Sequence, residues 1–258
     1  MKVSEWKEMI AQAKLWAIEA GKEQLKRMDQ PMDISSKTSD IDFVTEVDIW
    51  TENFLKERIL DRYPDHALLT EESGVHSGKA DYEWVIDPID GTVNYARGLP
   101  AFCISIGIRY KGETVAGLIH APKLGETYET IKGEGAWCNN EPIQVSTVYT
   151  LSKAVLGTGF PYDKATDSDN NVEHFSTMIT QIGGIRRIGA AALDLAMVAS
   201  GKLDGYWELK LKEWDVEAGI LLVAEAGGQA EVFPEPKGLS VRAGNKEIFN
   251  ILKDQIKR

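Results

Sequence analysis

The chain has 258 residues, 43% hydrophobic and 27% charged, enough for one large core or two half-sized ones. Its formal net charge of -11 argues against a broad surface for nucleic acid or an anionic membrane, because such surfaces need an excess of Lys and Arg. Cys103 and Cys138 belong to no CxxC or Cys/His spacing, so no disulfide scaffold or zinc site is expected and both are read as reduced thiols.

The first residues, MKVSEWKEMIAQAKLW, carry Glu5 and Glu8 and lack an apolar run or a small-residue cleavage site, so they do not read as a secretory leader. No segment approaches ~20 uninterrupted apolar residues, so no membrane span is expected and the cytoplasm is the expected location. Trp6, Ile10, Ala13 and Ala17 recur at helical spacing and predict an amphipathic helix over 4–28. A polar stretch holding Lys37 follows. A second helix is predicted from Thr45 to about Arg62, with Trp50, Phe54, Leu55 and Ile59 inward, stopped by Tyr63-Pro64. The period then changes. Ala67–Leu69 and Trp84–Ile86 read as short strands, and Phe102 to Tyr110 alternates strictly, the mark of a half-buried strand. Thr114–Ile119 and Tyr128–Ile131 continue the set, so two helices followed by an antiparallel sheet are expected.

Beyond a weak boundary near Thr147–Lys153, a strand is predicted at Ala154–Gly157, then a mobile polar loop over Asp163–Asn171. Helices follow at 172–182, 190–199 and 215–226, stopped by Gly183-Gly184, Gly201 and Gly227-Gly228. Strands are predicted at 206–209, 230–233 and 241–243, and a last helix from Lys246. The expected organisation is an N-terminal α+β half, 1–150, and a C-terminal α/β half, 151–258, stacked in layers.

The acidic residues carry the chemistry. Asp48, Glu71-Glu72, Asp87, Asp90 and Asp215 all fall where elements are predicted to begin or end. In WVIDPIDGTVNY, an apolar strand runs into two aspartates either side of a proline, which fixes one backbone dihedral of the turn. Buried carboxylates this close repel unless a positive charge lies between them. Converging carboxylates suit a hard cation such as Mg²⁺, and Gly91-Thr92 offers backbone amides to a phosphate. Taken singly, each acid also has an ordinary reading: turn chemistry for Asp87 and Asp90, a solvated loop pair for Glu71-Glu72, a helix first turn for Asp48, an N-cap for Asp215.

Several motifs together resemble the inositol monophosphatase family. Asp87-Pro-Ile-Asp-Gly-Thr-Val-Asn-Tyr95 is similar to DPIDGTxNF, and Glu71-Glu72-Ser73 to (G)EES, with Thr70 where glycine is usual. Trp214 to Gly228 is similar to WDxAAGxxLxxEAGG, with Glu217 in place of an alanine. Asp42–Asp48 matches DLVTxxD, and Gly189–Asp194 resembles GSAALD, with Ala190 for serine. These matches span nearly the whole chain in the family's order.

The resemblance implies a layered αβαβα sandwich, the inositol monophosphatase and sugar phosphatase fold. It implies a Mg²⁺-dependent, Li⁺-sensitive phosphomonoesterase, an inositol-1(or 4)-monophosphatase that uses metal-activated water, usually as a homodimer. Two or three Mg²⁺ ions are expected, with Mn²⁺ a substitute and Ca²⁺ and Li⁺ inhibitory. By position, Glu71, Asp87 and the Ile89 carbonyl would bind one ion and Asp87, Asp90 and Asp215 a second, with Glu71 helping a third. Asp48 and Thr92 would orient the water, with Glu71, Thr92 and Asp48 the catalytic set. The Gly91 and Thr92 amides would hold phosphate. Ala191, Glu208 and Arg187, beside Asp90 and Asp215, would meet the rest of the substrate. Other substrates left open are fructose 1,6-bisphosphate and 3′-phosphoadenosine 5′-phosphate. A role as a binding protein in a transcription complex is left open as well.

Other residues read as ordinary. His66, His76, His120 and His174 make no ligand spacing and read as surface or loop histidines. Trp6, Trp16, Trp50 and Trp84 read as core anchors. Arg186-Arg187 is a solvated pair or a contact to phosphate or a partner subunit. Lys212 leaves leaving-group recognition open, and Lys37 reads as a charge-balancing or plain loop lysine.

Overall fold

The structure, a computed structural model, describes residues 2–28, 30, 34–36 and 43–256. Lys37 and Asp42 lie outside them. Helix α1 (Lys2–Met28) and helix α2 (Glu46–Arg62) are separated in sequence by a two-stranded ribbon, β1 (Ile34–Ser36) and β2 (Phe43–Thr45). Eight strands follow: β3 (Ala67–Thr70), β4 (Gly74–His76), β5 (Tyr82–Asp90), β6 (Cys103–Tyr110), β7 (Glu113–Ala121), β8 (Glu126–Ile131), β9 (Gly135–Cys138) and β10 (Glu141–Pro142). The short helix α3 (Thr92–Ala96) joins β5 to β6. These strands form one sheet in the order β10-β9-β8-β7-β6-β5-β3-β4. A second sheet, β12-β11-β13-β15-β14, is built from β11 (Val155–Thr158), β12 (Gly184–Arg186), β13 (Gly205–Leu211), β14 (Gln229–Glu235) and β15 (Gly238–Gly244). Helices α4 (Val172–Ile179), α5 (Ala191–Ala199), α6 (Glu213–Glu225) and α7 (Lys246–Gln255), with a short 3-10 helix at Leu151–Lys153, complete the described elements.

Three apolar clusters define the layers. Ala13, Trp16 and Ala17 of α1 and Leu55 and Ile59 of α2 pack on Trp84, Ile86, Ile104, Ile106 and Leu118 of the large sheet. Leu193 and Leu195 of α5 and Ala218 and Leu222 of α6 fill the space between the sheets, against Ile119, Tyr128, Tyr206 and Val241. Met178 of α4 and Ile248 and Leu252 of α7 cover the far face of the small sheet at Leu156 and Trp207. The order is αβαβα, as the family resemblance implies. Alternation along the strands makes this possible, since Tyr206 faces one cluster and its neighbour Trp207 the next.

The large sheet is mixed rather than antiparallel. β3 pairs parallel with β5, because the short hairpin β3–β4 returns the chain to the outer edge before β5 begins. Trp50 and Phe54, expected inward, are only partly buried. They stack at 5.3 Å on the flank of α2, with Arg27 over Trp50 and Arg58 over Phe54. Trp6 is likewise only partly buried. Two histidines read as surface residues are buried. His66 Nδ1 accepts from Trp84 Nε1 at 3.0 Å, and His120 Nδ1 lies 2.8 Å from Thr127 Oγ1. Burial pushes the His120 pKa down to about 4. The loop expected to be mobile is tied down, since Asp163 and Asp167 both pair with Lys210 and Lys237.

Helix α6 lies directly on the large sheet, and two facing glycines allow it. A Cβ at Gly107 of β6 would stand 2.7 Å from Glu217 Cγ, and one at Gly117 of β7 would stand 3.0 Å from Ala218 Cα. Glu217, where the family pattern has alanine, thus enters a largely buried ion cluster. Arg109 of β6 donates to it from Nε at 2.8 Å and Nη2 at 2.6 Å, and also pairs with Glu83 and Glu213. The Thr114 hydroxyl donates to Glu217 as well. Removing Arg109 leaves a carboxylate that is only 9% exposed without its cation. Arg109→Met is therefore expected to cost about 3–5 kcal/mol in chemical denaturation. Glu217→Ala leaves Arg109 two other carboxylates and should cost clearly less. The double variant should recover part of the Arg109→Met loss, and equal costs for the two single variants would contradict this account.

Candidate metal-dependent active site

Strand β5 supplies the centre of the site. Its pairing with β6 slips between Asp87 and Asp90, where Pro88 has no N–H to donate. The turn is secured instead by side chains. Asp87 Oδ1 accepts from Ile89 N at 2.9 Å, and Gln24 of α1 donates from Nε2 to Pro88 O at 3.0 Å. Gly91 then takes φ +91°, and a Cβ there would lie 2.9 Å from Ala101 O, so glycine is required for the chain to enter α3. Because β3 runs parallel to β5 with Thr70 opposite Ile86, Glu71 leaves the sheet at the same edge as Asp87.

Three further elements aim at this edge. Asp48 lies in the first turn of α2, where Oδ2 accepts from Thr45 N at 2.9 Å and Oδ1 faces Thr92 Oγ1 at 3.0 Å. The Thr92 hydroxyl is also 3.0 Å from Ile89 O. The N-terminus of α5 points at Asp90, whose oxygens accept from Ala191 N at 3.1 Å and Ala192 N at 2.7 Å. Ala191, expected at the substrate hydroxyls, thus gives its amide to Asp90. Asp215 is the third residue of α6, not its cap, and accepts from Lys212 N at 2.7 Å. The positive ends of α5 and α6 offset part of the negative charge gathered here.

They do not offset all of it. Asp48, Asp87 and Asp90 are buried, while Glu71, Glu208 and Asp215 are half-buried. Burial first, then the neighbouring Glu71, Asp90 and Asp215, hold Asp87 far above the usual carboxylate range. Burial likewise raises Asp215, and lifts Asp90 to about 7 and Asp48 to about 6. Among the described residues no Lys or Arg side chain hydrogen-bonds to Asp48, Asp87, Asp90 or Asp215. Nor does any group of three or more His, Cys, Asp or Glu among them stand in metal-holding geometry.

The far side of the cluster holds Tyr206 and Asp194, which sequence reading gave no role, beside the expected Glu208 and Arg187. The Tyr206 hydroxyl donates to Glu208, and Glu208 and Asp194 both sense the charge of exposed Arg187. Asp194 is buried and neither of its oxygens has a hydrogen-bond partner among the described residues. Burial raises its pKa, with the charges of Glu208 and Asp90 adding to the rise. Its only sequence signal is its place at the end of the Gly189–Asp194 motif. Arg186, the other half of the pair, turns back on the Ile185 carbonyl. Lys212 is exposed at the start of α6.

The sequence profile of the inositol monophosphatase family matches residues 5–242. The chain belongs to that family. It is 42% identical over 225 residues to the inositol-1-monophosphatase of Synechocystis, covering 86% of this chain and 77% of the relative. It is 43% identical over 221 residues to the Nus factor SuhB of Pseudomonas aeruginosa, covering 82% and 81%. The inositol monophosphatase structure from Anabaena superposes with a TM-score of 0.87 at 37% identity, over 97% of this chain and 95% of that one.

Family members are metal-dependent phosphatases that act on phosphorylated substrates, and the donor set here fits a hard divalent cation. Every donor is oxygen, and the charge these side chains gather is negative. Carboxyl groups with raised pKa stabilise the metal-free fold while protonated. That contribution is whole below the unfolded value near 4 and is lost as the pH rises through about 7. In thermal melts, the metal-free protein should therefore lose stability between about pH 5 and about pH 8. Mg²⁺ should raise the melting temperature more at the upper pH, where the ligands are ionised. An equal Mg²⁺ effect at both values would contradict a carboxylate-held cation.

Proposed function

We propose that this chain is a Mg²⁺-dependent phosphomonoesterase that hydrolyses inositol monophosphate to inositol and phosphate, working in the cytoplasm as a homodimer. The observation that carries the reading is the convergence of Glu71, Asp87, Asp90 and Asp215, none next to another in sequence, around one sheet edge beside the Asp48–Thr92 pair. Glu71, Asp87 and the Ile89 carbonyl are assigned to one Mg²⁺, and Asp87, Asp90 and Asp215 to a second. Glu71 also contributes to a weaker third ion. When bound, the cations neutralise the phosphoryl oxygens and make water more acidic, which a slow anionic ester needs.

The remaining steps belong to the protein. Asp48 accepts from Thr92, which frees the lone pairs of the Thr92 oxygen to take a hydrogen bond from the attacking water. The left-handed turn at Gly91 presents backbone amides of Gly91 and Thr92 to the phosphate. Glu208, Arg187 and Ala191 are assigned to the polyol. No protein nucleophile is needed.

A second reading, a binding role in a transcription complex, has its own observation: the Pseudomonas relative is named a Nus factor. A binding role of this kind would survive loss of the carboxylate site, whereas catalysis would not. Asp87→Asn should therefore lower Mg²⁺-dependent turnover by more than about 100-fold with the fold intact, since even outer partners of metal ligands cost about 10–100-fold. The assay pairs inositol 1-phosphate with fructose 1,6-bisphosphate, 2′-AMP and 3′-phosphoadenosine 5′-phosphate. Near-normal turnover in the variant, or no turnover of any of the four by the wild type, would refute the proposal.

A further inference from the structure

Helix α2 carries a second buried carboxylate on the side of Asp48. Glu52 stands four residues on, one helical turn away, and is 2% exposed. Among the described residues no Lys or Arg pairs with its carboxylate. Oε2 accepts from Glu72 N at 2.7 Å and Oε1 accepts from Ser73 N at 2.8 Å. Both amides belong to the turn that follows Glu71 at once. An extra carboxylate beside an acidic cluster is costly to bury, and an amide or hydroxyl could satisfy one N–H without that charge. Two oxygens on two successive amides fix the direction of the turn as well as its position.

The same turn is held on its other side. Glu71 N donates to Ile86 O of β5 at 3.3 Å, and Lys56, a further turn along α2, donates to Ser73 Oγ at 3.2 Å. Next to Glu52, Thr51 Oγ1 accepts from Gln24 Nε2 at 3.1 Å, and the same Gln24 amide holds Pro88 O. One helix face thus spans the Glu71 turn, the Asp87–Asp90 turn and, through Asp48, Thr92.

We propose that Glu52 is a positioning residue: by holding the amides of Glu72 and Ser73 it aims Glu71 at Asp87, and so sets the affinity of the site for its divalent cation rather than the rate of the chemical step. This rests on the reading of Glu71 as a cation ligand. Glu52→Gln keeps the shape but turns an NH₂ donor toward one of the two amides. It should weaken Mn²⁺ binding, measured by calorimetry without substrate, by about 10–100-fold. The Mg²⁺ concentration for half-maximal activity should rise in parallel, while kcat at saturating Mg²⁺ stays within about twofold of wild type.

Should Glu52→Gln fail to fold, Glu52→Asp, which keeps the charge but draws the oxygens back by one methylene, must show the same weakening. Glu71→Gln is measured alongside. If Glu71→Gln leaves Mn²⁺ binding unchanged, the ligand reading fails and the positioning proposal falls with it. If Glu71→Gln weakens binding but the Glu52 variants only melt at lower temperature, with unchanged Mn²⁺ affinity, the positioning proposal alone is overturned.

Discussion

Like charges forced together in a low-dielectric interior repel strongly, and the fold around the DPID turn is organised by that repulsion. Burial, and then the charges of neighbouring acids, raise the proton affinity of Asp87 and Asp215: Glu71, Asp90 and Asp215 act on Asp87, and Asp90 and Glu71 act on Asp215. The protein supplies partial answers. Backbone amides at the start of α5 take Asp90, the first turn of α6 takes Asp215, and Thr45 and Thr92 take Asp48. What remains is a negative pocket built from oxygen donors, stable either with protons in it or with divalent cations.

The layered architecture delivers those groups to one place. Parallel pairing of β3 and β5 brings two acidic turns out at the same edge. The glycines at 107 and 117 let α6 settle on the sheet with Asp215 at the same end. The ion cluster around Arg109 then ties α6 to β6, with Glu213 and Glu217 on either side of Asp215. A departure from the family's alanine at position 217 is accommodated because its partner already sits among carboxylates.

Much of this is written locally in the chain. The helical period of α1 and α2 and the alternation of β6 follow from spacing alone, as do most helix stops at glycine. Other features depend on partners far away in sequence. Arg109 and Glu217 are 108 positions apart, and neither signals the other. His66 looks solvated until Trp84 and two tyrosine rings close on it. The Asp163–Asn171 loop looks free until Lys210 and Lys237 are placed beside it. In the site, each acid by itself is ordinary turn or cap chemistry, so the residue types were legible and their convergence was not. Glu52 and Gln24 gave no signal at all, because a helix face with one Gln or Glu is unremarked until the turn it holds is known.

On the proposed reading, divalent cations, not protons alone, resolve the crowding of these carboxylates in the working protein. Anomalous diffraction from crystals soaked in a manganese salt near neutral pH tests it most directly. At least two peaks about 3.5–4 Å apart are expected, bounded by Glu71, Asp87, Asp90 and Asp215. Absence of manganese among these four side chains, in crystals where they remain gathered, would contradict it.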